Sequence, residues 1–183
     1  MRHFGFAFID RDEDENIVID FRGQKLHYKL LHVLEFTSDR KRMSVIVRTP
    51  ENQVMLVCKG ADSVINPRLI PGQSHEAATN DHLERFAEAG LRTLLIAYRY
   101  IEEPQYQEWL AQFAKAQAAT SNREQKVAEL AAQVEVDFLL AGCSAIEDKL
   151  QEDVGKTIED IRKADIKVWV LTGDKVETAI NIG

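Results

Sequence analysis

The sequence predicts an α+β fold, an antiparallel sheet with flanking helices, followed by the opening of a second, parallel α/β unit. Three observations predict it. Residues 1–60 read as successive β segments joined by compact turns. Residues 79–133 carry helix caps and helical apolar stripes around one further strand. After Asp137 the pattern becomes buried strand, helix, buried strand, helix, which is the signature of parallel α/β structure.

Each element follows from local chemistry. Residues 17–21 and 25–36 flank the turn Arg22-Gly23-Gln24, and residues 43–48 and 54–59 flank Thr49-Pro50-Glu51-Asn52. Their order and short links predict an antiparallel meander. Thr79, Asn80 and Asp81 offer capping oxygens to a helix over 82–89, which Gly90 ends. Residues 91–101 return to a strand. Pro104 suits a first helical position, and Tyr106, Trp109, Leu110 and Phe113 follow as a helical stripe read as core packing. The helical segment continues to 133 with a break at Thr120-Ser121-Asn122. Residues 138–143 read as a short buried strand, 152–164 as an amphipathic helix, 167–171 as a buried strand, and Asp174 opens a helix. Such a βαβα piece alone leaves sheet edges and apolar faces uncovered, so the chain is expected to be a fragment of a larger protein.

Composition narrows the function. With 45% hydrophobic residues among 183, the chain can bury a core. Its net charge of −7 argues against nucleic acid as the partner. Apolar runs are interrupted long before the ~20 residues a bilayer requires. The N-terminus lacks the long apolar core of a signal peptide, and there is no Asn-X-Ser/Thr sequon. The two cysteines, Cys58 and Cys143, have no metal-type spacing and read as buried free thiols in a reducing compartment.

Against this acidic background, cations gather at a few points. Phe36 ends a strand beside Arg40, Lys41 and Arg42, so a base could stack on the ring while the cations reach phosphate oxygens. Lys59 stands at a strand end before Gly60, whose missing Cβ allows close approach of a ligand. Arg92 follows Gly90-Leu91 at another strand start. Thr172, Gly173 and Asp174 close an apolar strand ahead of a helix, where open α/β sheets bind phosphate. A charged turn, a surface arginine and an ordinary capped helix are the plainer readings of these segments, and each alone would suffice. Gly155-Lys156-Thr157 lacks the upstream Gly of a phosphate-binding loop, since Leu150 stands there. Phe6 to Asp12 offers an apolar strand and the Asp10-x-Asp12 pair of haloacid-dehalogenase phosphatases, but the acidic run after it reads as a solvated hairpin turn. The five histidines show no ligand spacing.

Taken together, these segments resemble the P-type ATPases, specifically the phospholipid-flippase (type IV) subfamily. The resemblance runs almost end to end. It is carried by Gly5-Phe6-Ala7-Phe8, residues 34–47, residues 59–65, residues 89–94, Ala97-Tyr98-Arg99, residues 145–151 and residues 166–179. Residues 40–45 and 146–151 are similar to the flippase versions rather than to those of cation pumps. The resemblance implies that residues 1–147 are most of the cytosolic nucleotide-binding domain. Residues 148–183 would be the hinge and the start of a haloacid-dehalogenase-like phosphorylation domain. It implies that Phe36 stacks on adenine, that Ser38, Lys41, Lys59 and Gly60 line the nucleotide pocket, and that Arg92 reaches the phosphates. Asp148 would lie at the hinge, and Thr172, Gly173 and Asp174 would meet the terminal phosphate. ATP and Mg2+ are the implied cofactors. The implied partners of the parent are a membrane phospholipid and a membrane accessory subunit, and its place is the cytosolic face of a membrane.

The Asp-Lys-Thr-Gly loop that carries the phosphorylated aspartate in that family does not occur, because Asp148-Lys149-Leu150 and Asp174-Lys175-Val176 both depart from it. No Gly-Asp-Gly loop is present for magnesium. The fragment, expected to be monomeric, should therefore bind ATP without turnover. Two other readings stay open: a phosphatase using Asp10 and Asp12, and a non-enzymatic interaction domain.

Overall fold

The computed structural model describes residues 2–12, 16–147, 151–169 and 171. The chain falls into two compact units, Met1–Ser74 with Leu95–Gly142, and His75–Leu94 with Cys143–Gly183.

In the first unit the meander forms as its turn chemistry dictates. Strands β1 (Phe6–Arg11), β2 (Asn16–Phe21), β3 (Gln24–Leu34), β4 (Arg42–Arg48), β5 (Val54–Gly60), β6 (Arg92–Ile101) and β7 (Leu139–Ile146) lie in one sheet in chain order. From β1 to β6 each strand pairs antiparallel with the next. The long strand β3 serves two partners: its first half pairs with β2 and its second half with β4, and the register shifts between Leu30 and His32. A bulge of this kind bends a strand, so the sheet curls rather than lying flat.

The strand period of two sorts the side chains. On β4, Arg42, Ser44 and Ile46 are buried, and on β5 Val54, Leu56, Cys58 and Gly60 are buried. Cross-strand pairing sets Ile46 opposite Leu56, Ser44 opposite Cys58, and Arg42 opposite Gly60. One sheet face therefore passes from apolar to polar along its length, and the polar end lies beside the Phe36 loop.

Helices α3 (Glu103–Gln117) and α4 (Arg123–Val134) belong to the same unit, as does the single turn α1 (Asp62–Ile65). Tyr106, Trp109 and Phe113 are buried, as the core-packing reading requires, while Leu110 is half-buried. Trp109 stacks on Phe113 with centroids 4.6 Å apart and donates through Nε1 to the Leu130 carbonyl at 2.9 Å, tying α3 to α4. His32 of β3 meets both rings edge-on and lies 3.1 Å from the Tyr106 hydroxyl. The break between the helices falls at Asn122, which adopts the left-handed conformation (φ 51°) that Asn tolerates.

In the second unit α2 (Glu76–Glu88) begins earlier than its capping residues suggest. Thr79, Asn80 and Asp81 sit inside it, and Thr79 N donates to His75 O at 2.9 Å. The buried pair Leu83 and Ala87 supplies its apolar stripe, and Asp81 pairs with Arg85 at i,i+4 rather than capping the helix. Gly90, at φ 78°, ends it as expected. Helix α5 (Val154–Lys163) holds Gly155, Lys156 and Thr157 in its first turn. The buried strand expected over 167–171 is not found among the described residues. Residues 166–169 carry no regular structure, and Trp169 is 80% exposed. A buried strand needs pairing partners and cover on both faces, and no described residue pairs with this segment.

Burial without a charged partner pushes the His32 imidazole below its ordinary value. The unfolded state then takes up the proton first, so the contribution of His32 is full above about pH 6.5 and declines as pH falls below it. Urea midpoints should fall between about pH 7.5 and about pH 5.5, and the fall should be smaller in His32→Gln.

Candidate functional site

The loop between β3 and β4 is built by its own short bonds. Lys41 N donates to Thr37 O at 2.8 Å, and Arg40 N donates to the Thr37 hydroxyl at 3.2 Å. Closing the loop places Lys41 in the left-handed region, at φ 49°. Phe36 lies two residues past the end of β3 and is 59% exposed. Ser38 and Lys41 are exposed on the same loop.

The three adjacent cations do not act alike. Arg40 and Arg42, read from the sequence as phosphate ligands, turn inward onto Glu135, the residue after α4. Arg42 donates from Nε to Glu135 Oε2 at 2.7 Å and holds its Nη2 2.7 Å from that same oxygen, while Arg40 pairs with Oε1. The Ser44 hydroxyl donates to that same oxygen at 2.6 Å. Glu135 is fully buried and Arg42 nearly so, and a buried carboxylate requires such partners. Removing one partner of such a cluster typically costs about 3–5 kcal/mol. Lys41 is the cation of the three that faces outward.

The arginines also hold the loop's backbone. Arg40 Nη1 donates to Glu35 O at 2.6 Å, immediately before Phe36, and Arg42 Nη1 donates to Arg40 O at 3.1 Å. Glu135 itself is fixed by its neighbours. Arg99 donates to Val136 O at 3.0 Å, and Phe138 exchanges backbone bonds with Arg68 O and Ile70 N. Cys58, buried opposite Ser44, has its thiol pushed up chiefly by burial, which makes it inert; Cys143 is half-buried rather than buried.

Lys59 and Gly60 join this loop directly. Ala61 N donates to Lys41 O at 3.1 Å, and Lys59 pairs with Met43 across the strands. Lys59 is exposed, on the opposite face from buried Gly60. The sequence reading gave Gly60 room for a ligand; the structure gives that space to the loop. A Cβ at Gly60 would lie 2.6 Å from Arg42 Cβ and 2.8 Å from Lys41 O. Phe36, Ser38, Lys41 and Lys59 are thus brought together on one framework. Arg92, exposed, opens β6 in the second unit. Asp148, Thr172, Gly173 and Asp174 lie outside the described residues.

Asp10 and Asp12 do not form a phosphatase site. Asp10 lies within β1 opposite Val18 and Asp12 directly follows that strand, so both belong to an antiparallel pair rather than to the end of a parallel strand. Asp12 accepts from the backbone and side chain of Asn16, both at 2.8 Å, and closes the hairpin. Among the described residues there is no cluster of three or more potential metal ligands, and no helix is long and apolar enough to cross a membrane.

Glu135 is the residue that sequence reasoning missed. Its signal lay in β4, where alternation puts Arg42 and Ser44 on the face of buried Ile46, so that an acid is needed opposite them.

The family described as P-type ATPase, cytoplasmic domain N, matches residues 13–153. The chain belongs to the P-type ATPases. Within them its similarity lies with phospholipid-transporting ATPases. It is 49% identical over its full length to the phospholipid-transporting ATPase IC of Mus musculus and to that of Homo sapiens. It is 50% identical over 99% of its length to the phospholipid-transporting ATPase FetA of Mus musculus. The chain spans 14–15% of the length of these relatives. The matched residues 13–153 of this P-type ATPase include the whole Phe36 loop, Lys59, Gly60 and Glu135.

Gly60→Ala should move the Lys41–Arg42 backbone, since the nearest obstacles are backbone and Cβ atoms rather than flexible side-chain ends. A destabilisation of about 1–3 kcal/mol is expected from overpacking, read as a lower urea midpoint with an unchanged slope.

Proposed function

We propose that this chain binds ATP, as the nucleotide-binding part of a phospholipid-transporting P-type ATPase. The observation that carries the reading is the exposed Phe36 on the loop that also carries exposed Lys41, a loop closed by its own backbone bond and tied at Ala61 to the strand end that carries exposed Lys59. An exposed ring and two separated positive charges suit a purine with a phosphate tail. Ser38 adds a hydroxyl on the same loop.

Arg92, Thr172, Gly173 and Asp174 would contribute to the phosphates, with Asp148 at the hinge between residues 1–147 and a haloacid-dehalogenase-like phosphorylation domain begun by 148–183. Magnesium would arrive on the ATP phosphates, with its main protein ligands outside this chain. In the parent, ATP would phosphorylate an aspartate beyond these residues and drive phospholipid from one leaflet to the other. An accessory membrane subunit would assist, with this domain at the cytosolic face. The chain alone, without an Asp-Lys-Thr-Gly loop, would bind without turnover.

Amide NMR titration with ATP, GTP and inorganic phosphate tests the binding. Saturating shifts should centre on Phe36, Ser38, Lys41 and Lys59, prefer ATP, and give a dissociation constant on the order of a millimolar. Phe36→Ala should abolish most of the adenine preference while the protein stays folded, because the ring is exposed. Shifts produced equally by phosphate alone, or none near Phe36 at saturating ATP, would sink the reading.

A further inference from the structure

We propose that Glu135 is a positioning residue for the nucleotide site, holding the 36–42 loop in its binding form although its own side chain is fully buried. This rests on the ATP reading above.

The loop carries a conformational cost that something must hold in place. Lys41 occupies a left-handed conformation, φ 49°, that non-Gly residues disfavour. Its neighbours on both sides are tied to one carboxylate. Through Arg40, Glu135 reaches the carbonyl of Glu35 and so sets the residue that presents the Phe36 ring. Through Arg42, it reaches the carbonyl of Arg40 and sets the residue before Lys41 turns outward. One buried acid thus governs both the aromatic and the cationic ends of the loop.

The carboxylate also decides how many cations the site displays. Without it, Arg40 and Arg42 would be two guanidiniums side by side in a poorly solvated space, where like charges repel and a buried cation needs an acceptor. Both would swing towards water. The loop would then lose its closure and present a diffuse patch of charge instead of Lys41 alone. Apolar side chains can fill such a space with equal stability. Direction is what the acid adds, because each guanidinium has a fixed fork geometry and takes one orientation on the carboxylate.

Glu135 is well placed to act as the fixed point. It follows α4 directly, and Arg99 and the Phe138 backbone bonds anchor the residues after it. The Ser44 hydroxyl, donated from β4, completes the oxygen that also receives Arg40. The loop is consequently registered to the helical layer and to the sheet at once.

The test compares the 183-residue chain with Glu135→Gln, Glu135→Asp and Lys41→Ala, using ATP as the probe. Glu135→Gln keeps the shape and removes the charge. Well below its melting temperature, its Trp109 indole resonance should match the wild type, and its Phe36 and Lys41 resonances should shift before ATP is added. Its dissociation constant should rise about ten-fold, with Glu135→Asp in between. Lys41→Ala should cost less in the Glu135→Gln background than alone, which a merely structural role for Glu135 would not produce. A folded Glu135→Gln protein with wild-type affinity overturns the proposal, as does a Lys41→Ala effect of equal size in both backgrounds. If Glu135→Gln does not fold, Arg40→Leu decides the matter, since Arg40 sits at the outer edge and Arg42 and Ser44 stay on the carboxylate. Weakened binding in folded Arg40→Leu supports positioning and unchanged binding overturns it. A wild-type chain that binds no ATP overturns the ATP reading and this proposal together. Loss of binding in Phe36→Ala with none in Glu135→Gln overturns this proposal alone.

Discussion

A buried carboxylate held by two guanidiniums and a hydroxyl organises the first unit of this protein. Glu135 has no exposed surface, so its partners must satisfy it completely. Those partners come from the Phe36 loop and from β4, while the carboxylate comes from the end of the helical layer. The cluster therefore joins elements some ninety residues apart, Arg42 and Glu135 being separated by 93 positions. Few interactions in the unit span as much chain with as much angular restriction.

The consequence is a division of labour among adjacent residues of like charge. Arg40 and Arg42 belong to the interior, and Lys41 belongs to the surface, although all three look equivalent in sequence. Strand geometry drives part of this: Arg42 takes the inward position of β4, with Ser44 and Ile46 on the same face. Loop closure drives the rest, because the Thr37–Lys41 bond turns the chain just before the strand begins. Gly60 then allows β5 to approach the point where Lys41 joins Arg42, and Ala61 binds the Lys41 carbonyl. Two motifs separated in the chain, the Phe36 loop and Lys59-Gly60, become one piece of backbone. Membership of the P-type ATPases accounts for why these segments occur in this order, and their mutual contacts account for why they hold together as a unit.

Polar and apolar interiors sit side by side in this unit. Where β3 pairs with Ile46, His32 nestles among Tyr106, Trp109 and Phe113, and the packing is aromatic. Two residues further along β3, where Leu34 pairs with Ser44, the same sheet face becomes the Glu135 cluster. The aromatic region tolerates a neutral imidazole because burial favours the uncharged ring, and the ionic region tolerates two cations because one acid directs them.

Much of this was legible in the sequence. Turn residues and strand runs predicted the meander, Pro104 and the Tyr106–Phe113 spacing predicted α3, and short ordered motifs pointed to the family. These signals are local, and local propensity and period are what a chain carries in its own letters. Helix α2 began earlier than its capping residues indicated, with Thr79, Asn80 and Asp81 lying inside it and Asp81 pairing with Arg85. The strand expected over 167–171 had the composition of a buried strand, but among the described residues it has no partner to pair with. The candidate aromatic and cations were visible too, yet not which of them face water. That choice belongs to tertiary structure, because a guanidinium turns inward only where an acid waits, and Glu135 lies far along the chain with nothing around it to mark it as a partner. Sequence by itself determined most of the elements, their order and the residue types gathered at the Phe36 loop. Packing alone decided that Arg40 and Arg42 hold the loop while Lys41 leaves it, since the cost of burying charge can be met only by groups that folding brings together.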